Sequence, residues 1–164
     1  MTVSLVSPTR ISATIEAHEC YDLLCGQRKN PSPEMLKRQK EHLGDDWPLF
    51  DDTVQGFYAA AAIGHIIQQG KRYEVKGKVE ELILRTHWER ADRRDLRKAF
   101  TYLAKLEYHV KDDKDGNLSL QVVAELAEAG IKYIRDEVVE RNEFDFERML
   151  ERLRKTTKEQ GDFE

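Results

Sequence analysis

The sequence DDTVQGFYAAAAIGHIIQQGKRYEV, residues 51–75, constrains the fold more than any other stretch of the chain. Asp52 can cap a first helical turn, Gln55 can reach back to complete a capping box, and Gly70 can end the helix. Between these signals four alanines and a glycine add almost no side-chain bulk, so a neighbouring element can approach closely; they are Ala59, Ala60, Ala61, Ala62 and Gly64. We therefore predict that residues 52–69 form the central, most buried helix.

The hydrophobic pattern elsewhere predicts a mainly α-helical fold, a single compact domain over residues 1–164 with about six helices around the central one. A short N-terminal strand or hairpin is the most β-structure that we expect, and residues 156–164 are expected to fray. The last helix would be capped by Asn142 or Asp145. The other predicted helices cover 14–25, 32–43, a short segment at 79–83, 96–106, 122–138 and 146–153.

Composition excludes several classes of protein. No apolar run is long enough to cross a membrane, and residues 1–12 lack the basic and apolar regions of a signal peptide, so we expect a cytoplasmic protein with no membrane partner. The two cysteines, Cys20 and Cys25, are too few for a disulfide scaffold and lack zinc-site spacing, so we interpret them as reduced thiols.

Charge is unevenly distributed along the chain. Residues 71–105 contain 11 basic and 6 acidic side chains, a net charge of +5, while residues 1–70 carry −3 and residues 106–164 carry −6. This basic middle predicts either a surface that faces phosphates or a solvated face whose cations pair with acids elsewhere. On one helix, Arg90, Arg93, Arg94 and Arg97 would share a face opposite the apolar side chains Leu96, Phe100 and Leu103. The candidate DNA-binding residues are Lys71, Arg72, Lys78, Arg90, Arg93, Arg94, Arg97 and Lys98.

Catalytic motifs are scarce. Walker, GxGxxG and GxSxG sequences are absent, and the five histidines lack metal-ligand spacing; His65, on the central helix, is expected to be a core residue satisfied by hydrogen bonds. Metal-dependent nucleases of the PD-(D/E)xK type combine acids with a lysine, and the best such set here is Asp51, Asp52, Glu74 and Lys76. A divalent metal such as Mg²⁺ would be the cofactor of such a nickase. Helix capping also explains Asp51 and Asp52.

The sequence KDDKDGN, residues 111–117, predicts a turn. It is not a calcium loop, because Lys111 and Val122 would occupy positions that need acids. A hairpin of residues 108–110 against 118–120 would instead form the wing of a winged-helix DNA-binding unit, with residues 79–106 as its helices.

Two blocks resemble small proteins of the bacterial DNA phosphorothioation systems, the Dnd and Ssp clusters. The first is PLF followed by FYAAAAIGHIIQQGKR, and the second is ELAEAGIKYI; the resemblance covers about residues 49–78 and 120–138. The resemblance implies a role beside enzymes that replace a phosphate oxygen of DNA by sulfur, or that restrict DNA lacking the sulfur. Small helical proteins of these clusters include ones that bind or nick duplex DNA, and no catalytic residue is transferred from them.

We therefore expect a DNA-acting component of a phosphorothioation-type modification and defence system. It would bind double-stranded DNA through the basic middle, and if it also cleaves DNA it would act as a nickase or endonuclease. The alternative is a non-catalytic adaptor that docks, through the acidic C-terminal third, on a larger ATPase or sulfur-transfer subunit from the same cluster. A winged-helix transcription regulator is the third possibility.

Overall fold

The computed structural model describes residues 2–26, 28, 32–141 and 145–161. Within these ranges the chain is mainly α-helical, as predicted, and contains one two-stranded sheet. The elements in chain order are β1 Arg10–Thr14, α1 Ile15–Leu24, α2 Pro33–His42, α3 Thr53–Gln68, β2 Val79–Leu84, α4 Arg85–Trp88, α5 Arg94–Glu107, α6 Asn117–Arg141 and α7 Phe146–Gly161. Short 3₁₀ turns lie at Gly44–Asp46 and Ala91–Arg93.

Helices α3 and α6 form the centre of the fold and touch backbone to backbone. A Cβ atom on Gly64 of α3 would overlap the carbonyl oxygen of Leu126, and one on Gly130 of α6 would overlap the carbonyl oxygen of Ala60. Only glycine fits at these two crossing points. The prediction of a central helix made for close approach is confirmed, and its partner is the second block rich in small residues.

The ends of α3 follow the predicted signals closely. The Asp52 carboxylate accepts from the N–H of Gln55 at 2.8 Å, and the Gln55 side chain accepts from the N–H of Asp51 at 2.6 Å. The reciprocal bond therefore reaches one residue beyond the cap. At the other end Gln69, with φ 50°, and Gly70, with φ 87°, both adopt the left-handed conformation that stops the helix.

Residues 79–84 form a strand, so the predicted short helix at 79–83 is wrong. This strand, β2, pairs antiparallel with β1, with Thr14 opposite Val79 and Arg10 opposite Leu84, and a bulge lies between Ile11 and Ser12. The spacing of the apolar residues in VEELIL fits either structure, and β1 supplies a pairing partner that local propensity cannot anticipate.

The predicted wing is also wrong. Residues 118–120 belong to the first turn of α6, and the Asp113 carboxylate caps this helix by accepting from the N–H groups of Leu118 and Ser119 at 2.9 Å and 2.8 Å. Residues 111–116 form the predicted turn, but a helix follows it rather than a returning strand. Residues 108–110 and 118–120 therefore do not form the hairpin that the winged-helix hypothesis requires.

The peripheral elements cover the central pair. Helices α1 and α5 and the sheet pack on α6, and α7 packs on α3. Thr14, Ser32 and Asp145 cap α1, α2 and α7, each accepting from the N–H group three residues further along at 3.1 Å. Asn142, the other predicted cap of α7, lies outside the described residues. Helix α7 continues to Gly161, and residues 162–164 are not described, so fraying of the tail stays a prediction.

Both cysteines are buried free thiols on or beside α1. Burial raises the pKa of Cys20 and of Cys25 to about 12. Because thiolate is the reactive form, we expect neither thiol to react with iodoacetamide at pH 8 in the folded protein, whereas both should react in about 6 M guanidinium chloride. Mass spectrometry would count the adducts, and rapid labelling of the native protein would contradict the buried placement.

None of the described helices is both long and apolar enough to cross a membrane.

Candidate nucleic-acid interface

Aromatic packing fixes the segment that contains most of the basic residues. Trp88 is buried, its ring stacks on Tyr58 of α3 with centroids 4.8 Å apart, and Phe57 meets it edge-on at 5.6 Å. The Tyr58 hydroxyl also donates to the Trp88 carbonyl at 3.3 Å. Burial raises the pKa of Tyr58 to about 12, so this hydroxyl keeps its proton. The stack holds α4 and the start of α5 against the central helix.

The four arginines do not share one helical face as predicted, because α5 begins only at Arg94. Arg90 precedes the helix, and Arg93 lies in a 3₁₀ turn, where it pairs with Asp52 at 3.5 Å and is only 18% exposed. Arg97 is half-buried and donates to the Glu89 carbonyl at 2.9 Å, on the side of α5 that buries Phe100. Arg93 and Arg97 therefore stabilise the fold and are poorly placed to meet a phosphate.

Other predicted cations are neutralised by acids nearby. Arg72 binds the buried Glu125 carboxylate with two hydrogen bonds, of 2.6 Å and 2.8 Å. Arg90 pairs with Asp92 at 3.4 Å, and Lys76 pairs with Glu74 at 4.0 Å. Lys71 and Lys78 are exposed in the extended connector between α3 and β2, residues 71–78. The expectation of a solvated face with paired cations thus holds for part of the basic middle.

The outer side of α5 retains unpaired positive charge. Arg94, Lys98 and Lys105 are exposed and form no ion pair with a described residue. At 100° per residue they lie within a narrow sector, and Tyr102, 66% exposed, lies beside Lys98 and Lys105. We call these four residues the outer basic face; it spans about 16 Å of helix at 1.5 Å per residue.

The sequence alone identifies only half of the outer basic face. Arg94 and Lys98 are among the residues predicted to contact DNA, whereas Lys105 and Tyr102 are not. The sequence pattern that identifies Lys105 and Tyr102 is the spacing of residues 94, 98, 102 and 105, which is that of one side of a helix. This pattern is easily missed, because Arg90, Arg93 and Arg97 suggest that a different side of the helix carries the positive charge.

A polar groove of about 570 Å³ opens beside the first turn of α3. Arg28 lies inside it, donating to Asp22 at 2.6 Å, to the Thr53 hydroxyl at 3.3 Å and to His18 Nδ1 at 3.1 Å. The always-charged guanidinium makes Nδ1 of His18 an acceptor, so the opposite nitrogen donates to the Glu80 carbonyl at 3.1 Å. Both histidine nitrogens are thus engaged. The residues that line the groove are His18, Arg28, Asp52, Thr53, Val54, Glu81, Leu82, Ile83, Leu84, His87, Arg90 and Arg93.

The groove is close to neutral despite its arginines. Arg93 pairs with Asp52, Arg28 pairs with Asp22, and Glu81 of the lining pairs with Arg10 at 2.9 Å. A phosphate entering the groove would have to displace carboxylates that already hold these guanidinium groups. On the outer basic face no cation forms an ion pair with a described residue, and only Lys105 is close enough to a carboxylate, that of Asp113, for the two charges to interact.

The predicted metal-binding set is not brought together. Asp51 and Asp52 lie at the start of α3, and Glu74 and Lys76 follow its other end; a helix of 16 residues is about 24 Å long. Among the described residues there is no group of three or more His, Cys, Asp or Glu side chains placed to hold a metal ion. Asp52 serves as the cap of α3 and as the ion-pair partner of Arg93.

His65 behaves as expected of a histidine satisfied by its neighbours. It is half-buried, and its Nδ1 lies 3.0 Å from the hydroxyl of Tyr108 at the end of α5. Burial lowers the pKa of His65 below its ordinary value, so the neutral form prevails at neutral pH. The contact joins α5 to the central helix.

Comparisons with known proteins identified no relative. No protein-family model, curated protein or solved structure matches the chain. The function proposed below is therefore argued from the residues of this chain.

Proposed function

We propose that the protein binds the phosphate backbone of duplex DNA through the outer basic face of α5. The observation that supports this is the row of exposed cations Arg94, Lys98 and Lys105, none of which forms an ion pair with a described residue, with the exposed ring of Tyr102 among them. Each phosphate contact releases counterions and adds affinity without reading sequence. A rigid helix is a suitable platform, because its cations do not lose backbone freedom on binding.

The charges of α5 favour this side of the helix for a polyanion. Arg94 and Lys98 are one helical turn apart, and Lys105 lies two turns further along. Asp95 is the one acid of α5 close to this sector, and Glu107 lies on a different side of the helix. Tyr102 can donate its hydroxyl proton to a phosphate oxygen between the two lysines.

The wider biological context rests on the two blocks that resemble Dnd and Ssp proteins. On that basis we propose that the DNA-binding step belongs to a phosphorothioation-type modification and defence system. The proposal concerns binding, since the acids predicted for cleavage lie at opposite ends of α3. Nicking of supercoiled plasmid, with and without Mg²⁺, would be scored as open-circle product in the same samples.

The structure offers less support for the adaptor hypothesis than for DNA binding. Its acidic C-terminal third keeps several of its carboxylates within the fold: Glu125 and Glu128 are buried, and Glu137 pairs with Arg141 and Arg152. Among its described residues the exposed large apolar side chains are Leu106, Leu118 and Val139, which lie far apart along the sequence. Docking on a partner subunit of the same system stays a prediction.

The test replaces Arg94, Lys98 and Lys105 together by alanine. We expect weaker binding to a duplex of about 20 base pairs, measured by fluorescence anisotropy. The slope of log K against log salt should become shallower by about 0.9 for each phosphate that the variant no longer neutralises. Because all three side chains are exposed, the melting temperature should stay within a few degrees of the parent.

The matched control removes three cations elsewhere, Lys37, Arg148 and Lys155, which are 77%, 72% and 72% exposed. It makes the same change in net charge without touching α5. Equal losses of affinity in both variants would show a general charge effect, and an unchanged salt slope in the α5 variant would reject the proposed surface.

A further inference from the structure

A pocket of about 200 Å³ lies between α4, α5 and the start of α6, and we call it the α5 pocket. Its floor is apolar, because Trp88, Leu120 and Val123 line it and are only 4%, 3% and 1% exposed. Its mouth is polar and includes Glu89 and Asp115, which are both exposed. Sites for drug-sized ligands measure about 300–1,000 Å³, so this smaller space suits a ligand of one flat ring system.

Arg97 provides the hydrogen-bond donors that are still available in the α5 pocket. Of the five N–H groups of its guanidinium, one donates to the Glu89 carbonyl at 2.9 Å. No other hydrogen bond or ion pair joins this guanidinium to a described residue. Arg85, the second arginine of the lining, is already held by Glu89, by Asn117 and by two carbonyl oxygens. A ligand with acceptor atoms would therefore be met by Arg97.

The charge of the α5 pocket indicates an uncharged ligand. Two arginines, Arg85 and Arg97, and two acids, Glu89 and Asp115, belong to the lining, so their charges sum to zero. The acids at the mouth would repel a phosphate group, whereas their oxygens can accept from the N–H groups of a neutral ligand. An apolar floor combined with donors and acceptors suits a nucleobase, which has flat apolar faces and an edge that carries both kinds of group.

The position of the α5 pocket beside the outer basic face identifies the source of such a base. Thr101 of the pocket lies one helical turn from Lys98 and from Lys105, and Arg97 lies one turn from Arg94. Residues at this spacing have Cβ atoms about 5–6 Å apart. Each cation of the outer basic face thus has a pocket residue as its neighbour, and a strand held by these cations passes the mouth of the pocket.

We infer that the α5 pocket takes one unpaired nucleobase from the DNA strand whose phosphates contact the outer basic face. This inference rests on the proposed binding of DNA by that face. In a fully paired duplex the bases are stacked inside the helix, so a base reaches the pocket only after it has left the stack. Extrusion costs free energy, and it costs least where the base has no partner. The protein should therefore prefer DNA with an unpaired base to DNA that is fully paired.

The residues of the α5 pocket contribute differently to base binding. Arg97 donates to a carbonyl oxygen or a ring nitrogen of the base, and Glu89 accepts from an amino or imino N–H. Thr101 is half-buried beside Arg97, and its hydroxyl already donates to the Arg97 carbonyl at 2.8 Å. Its side chain therefore sets the free space at the entrance of the pocket, and a larger side chain at this position would occupy it.

The test compares three duplexes of equal length by fluorescence anisotropy. One is fully paired, one has a single bulged nucleotide, and one has a bulged nucleotide that lacks its base. Both bulges loosen the backbone, so the base is the difference between them. We expect the bulged base to lower the dissociation constant at least about tenfold relative to the paired duplex. The bulge without a base should bind within about twofold of the paired duplex.

Substitutions at Thr101 test whether the α5 pocket is the site that receives the base. Thr101→Phe should remove the advantage of the bulged base, because the ring would fill the space beside Arg97. Thr101→Ser keeps both the hydroxyl and the space, so it should retain the advantage. The matched control is Thr156→Phe, at an exposed position of α7 where the hydroxyl also donates to the carbonyl four residues earlier, at 3.0 Å. The control should bind the three duplexes as the parent does.

Equal affinity of the parent for the two bulges would overturn the inference, because the backbone and not the base would then explain any gain. The same holds for a Thr101→Phe protein that melts like the parent and keeps the advantage of the bulged base. The comparison on the parent requires no variant, so it decides the question even where Thr101→Phe does not fold. Free mononucleotides at about 1 mM should not compete with the bulged duplex, and effective competition would reject DNA as the source of the base.

The variant that lacks Arg94, Lys98 and Lys105 separates this inference from the proposed function. If that variant binds the paired duplex as tightly as the parent, the outer basic face is not the DNA-binding surface and the proposed function fails. If it binds the paired duplex more weakly, but the bulged base brings the parent no gain, the proposed function stands and only the base-binding pocket is rejected.

Discussion

Replacing Gly130 with alanine should lower the free energy of unfolding by more than about 3 kcal/mol, or prevent folding altogether. The new Cβ atom would overlap the carbonyl oxygen of Ala60 and would lie 2.9 Å from the backbone nitrogen of Gly64. Both obstacles belong to the backbone of α3, so no side-chain rotation can relieve them. Helix propensity alone would favour alanine by about 1 kcal/mol, and the clash must outweigh it.

Urea denaturation followed by circular dichroism would measure the change. Gly44→Ala is the control, because no atom lies within 4 Å of the added Cβ and only the left-handed backbone, with φ 51°, resists the substitution. We expect it to cost about 1 kcal/mol. A Gly130→Ala protein as stable as the parent would mean that α3 and α6 do not touch as described.

The close approach of a neighbouring element to α3 is the part of the fold that the sequence predicts best, and the structure identifies that element as α6. Small residues, Ala60 and Gly64 on α3 and Gly130 on α6, lie where the two helices touch backbone to backbone. Helix caps are equally predictable, because Asp52 with Gln55 and Ser32 with Pro33 act through local hydrogen bonds and a fixed proline dihedral. Sequence patterns that act within about four residues therefore predict the local structure correctly even when the rest of the fold is unknown.

Signals that depend on distant residues lead to wrong predictions. The strand Val79–Leu84 exists because β1, about seventy residues earlier, offers it a partner. The apolar residues of α5 are assigned to the core because a periodic stripe usually faces it. In the structure Phe100 and Ala104 are the buried residues of α5, and the Phe100 ring packs on Tyr58 with centroids 5.7 Å apart. The rotation of a helix about its own axis is set by its tertiary contacts, and no local pattern in residues 94–107 predicts it.

The sequence predicts only part of the candidate site, for the same reason. Composition locates the basic middle, but which cations remain unpaired depends on acids from other elements. Glu125 on α6 neutralises Arg72, and Asp52 on α3 engages Arg93. The exposed leucines of α5 cannot be distinguished from core residues until their exposed fractions are known, 52% for Leu96 and 70% for Leu106.

Replacing Glu128 with alanine is the second substitution for which we expect a large loss, of about 3 kcal/mol in the free energy of unfolding. Glu128 is 2% exposed on α6, and its two oxygens accept from the N–H and the hydroxyl of Thr14 at 2.7 Å and 2.8 Å. Lys132 lies 3.5 Å away; burial acts to lower the pKa of Lys132, but the Glu128 carboxylate helps to raise it above its ordinary value. The carboxylate thus joins β1, the start of α1 and the central helix pair.

Alanine would leave the buried N–H of Thr14 without an acceptor and would open a cavity beside α6. Glu128→Gln should cost about half as much, because it keeps the shape and one accepting oxygen but loses the attraction to Lys132. Glu140→Ala, at an exposed position of the same helix, is the control and should change stability by less than about 0.5 kcal/mol. If Glu128→Ala were as mild as Glu140→Ala, Thr14 would have to find another acceptor, and the attachment of the sheet to α6 would be looser than these hydrogen bonds require.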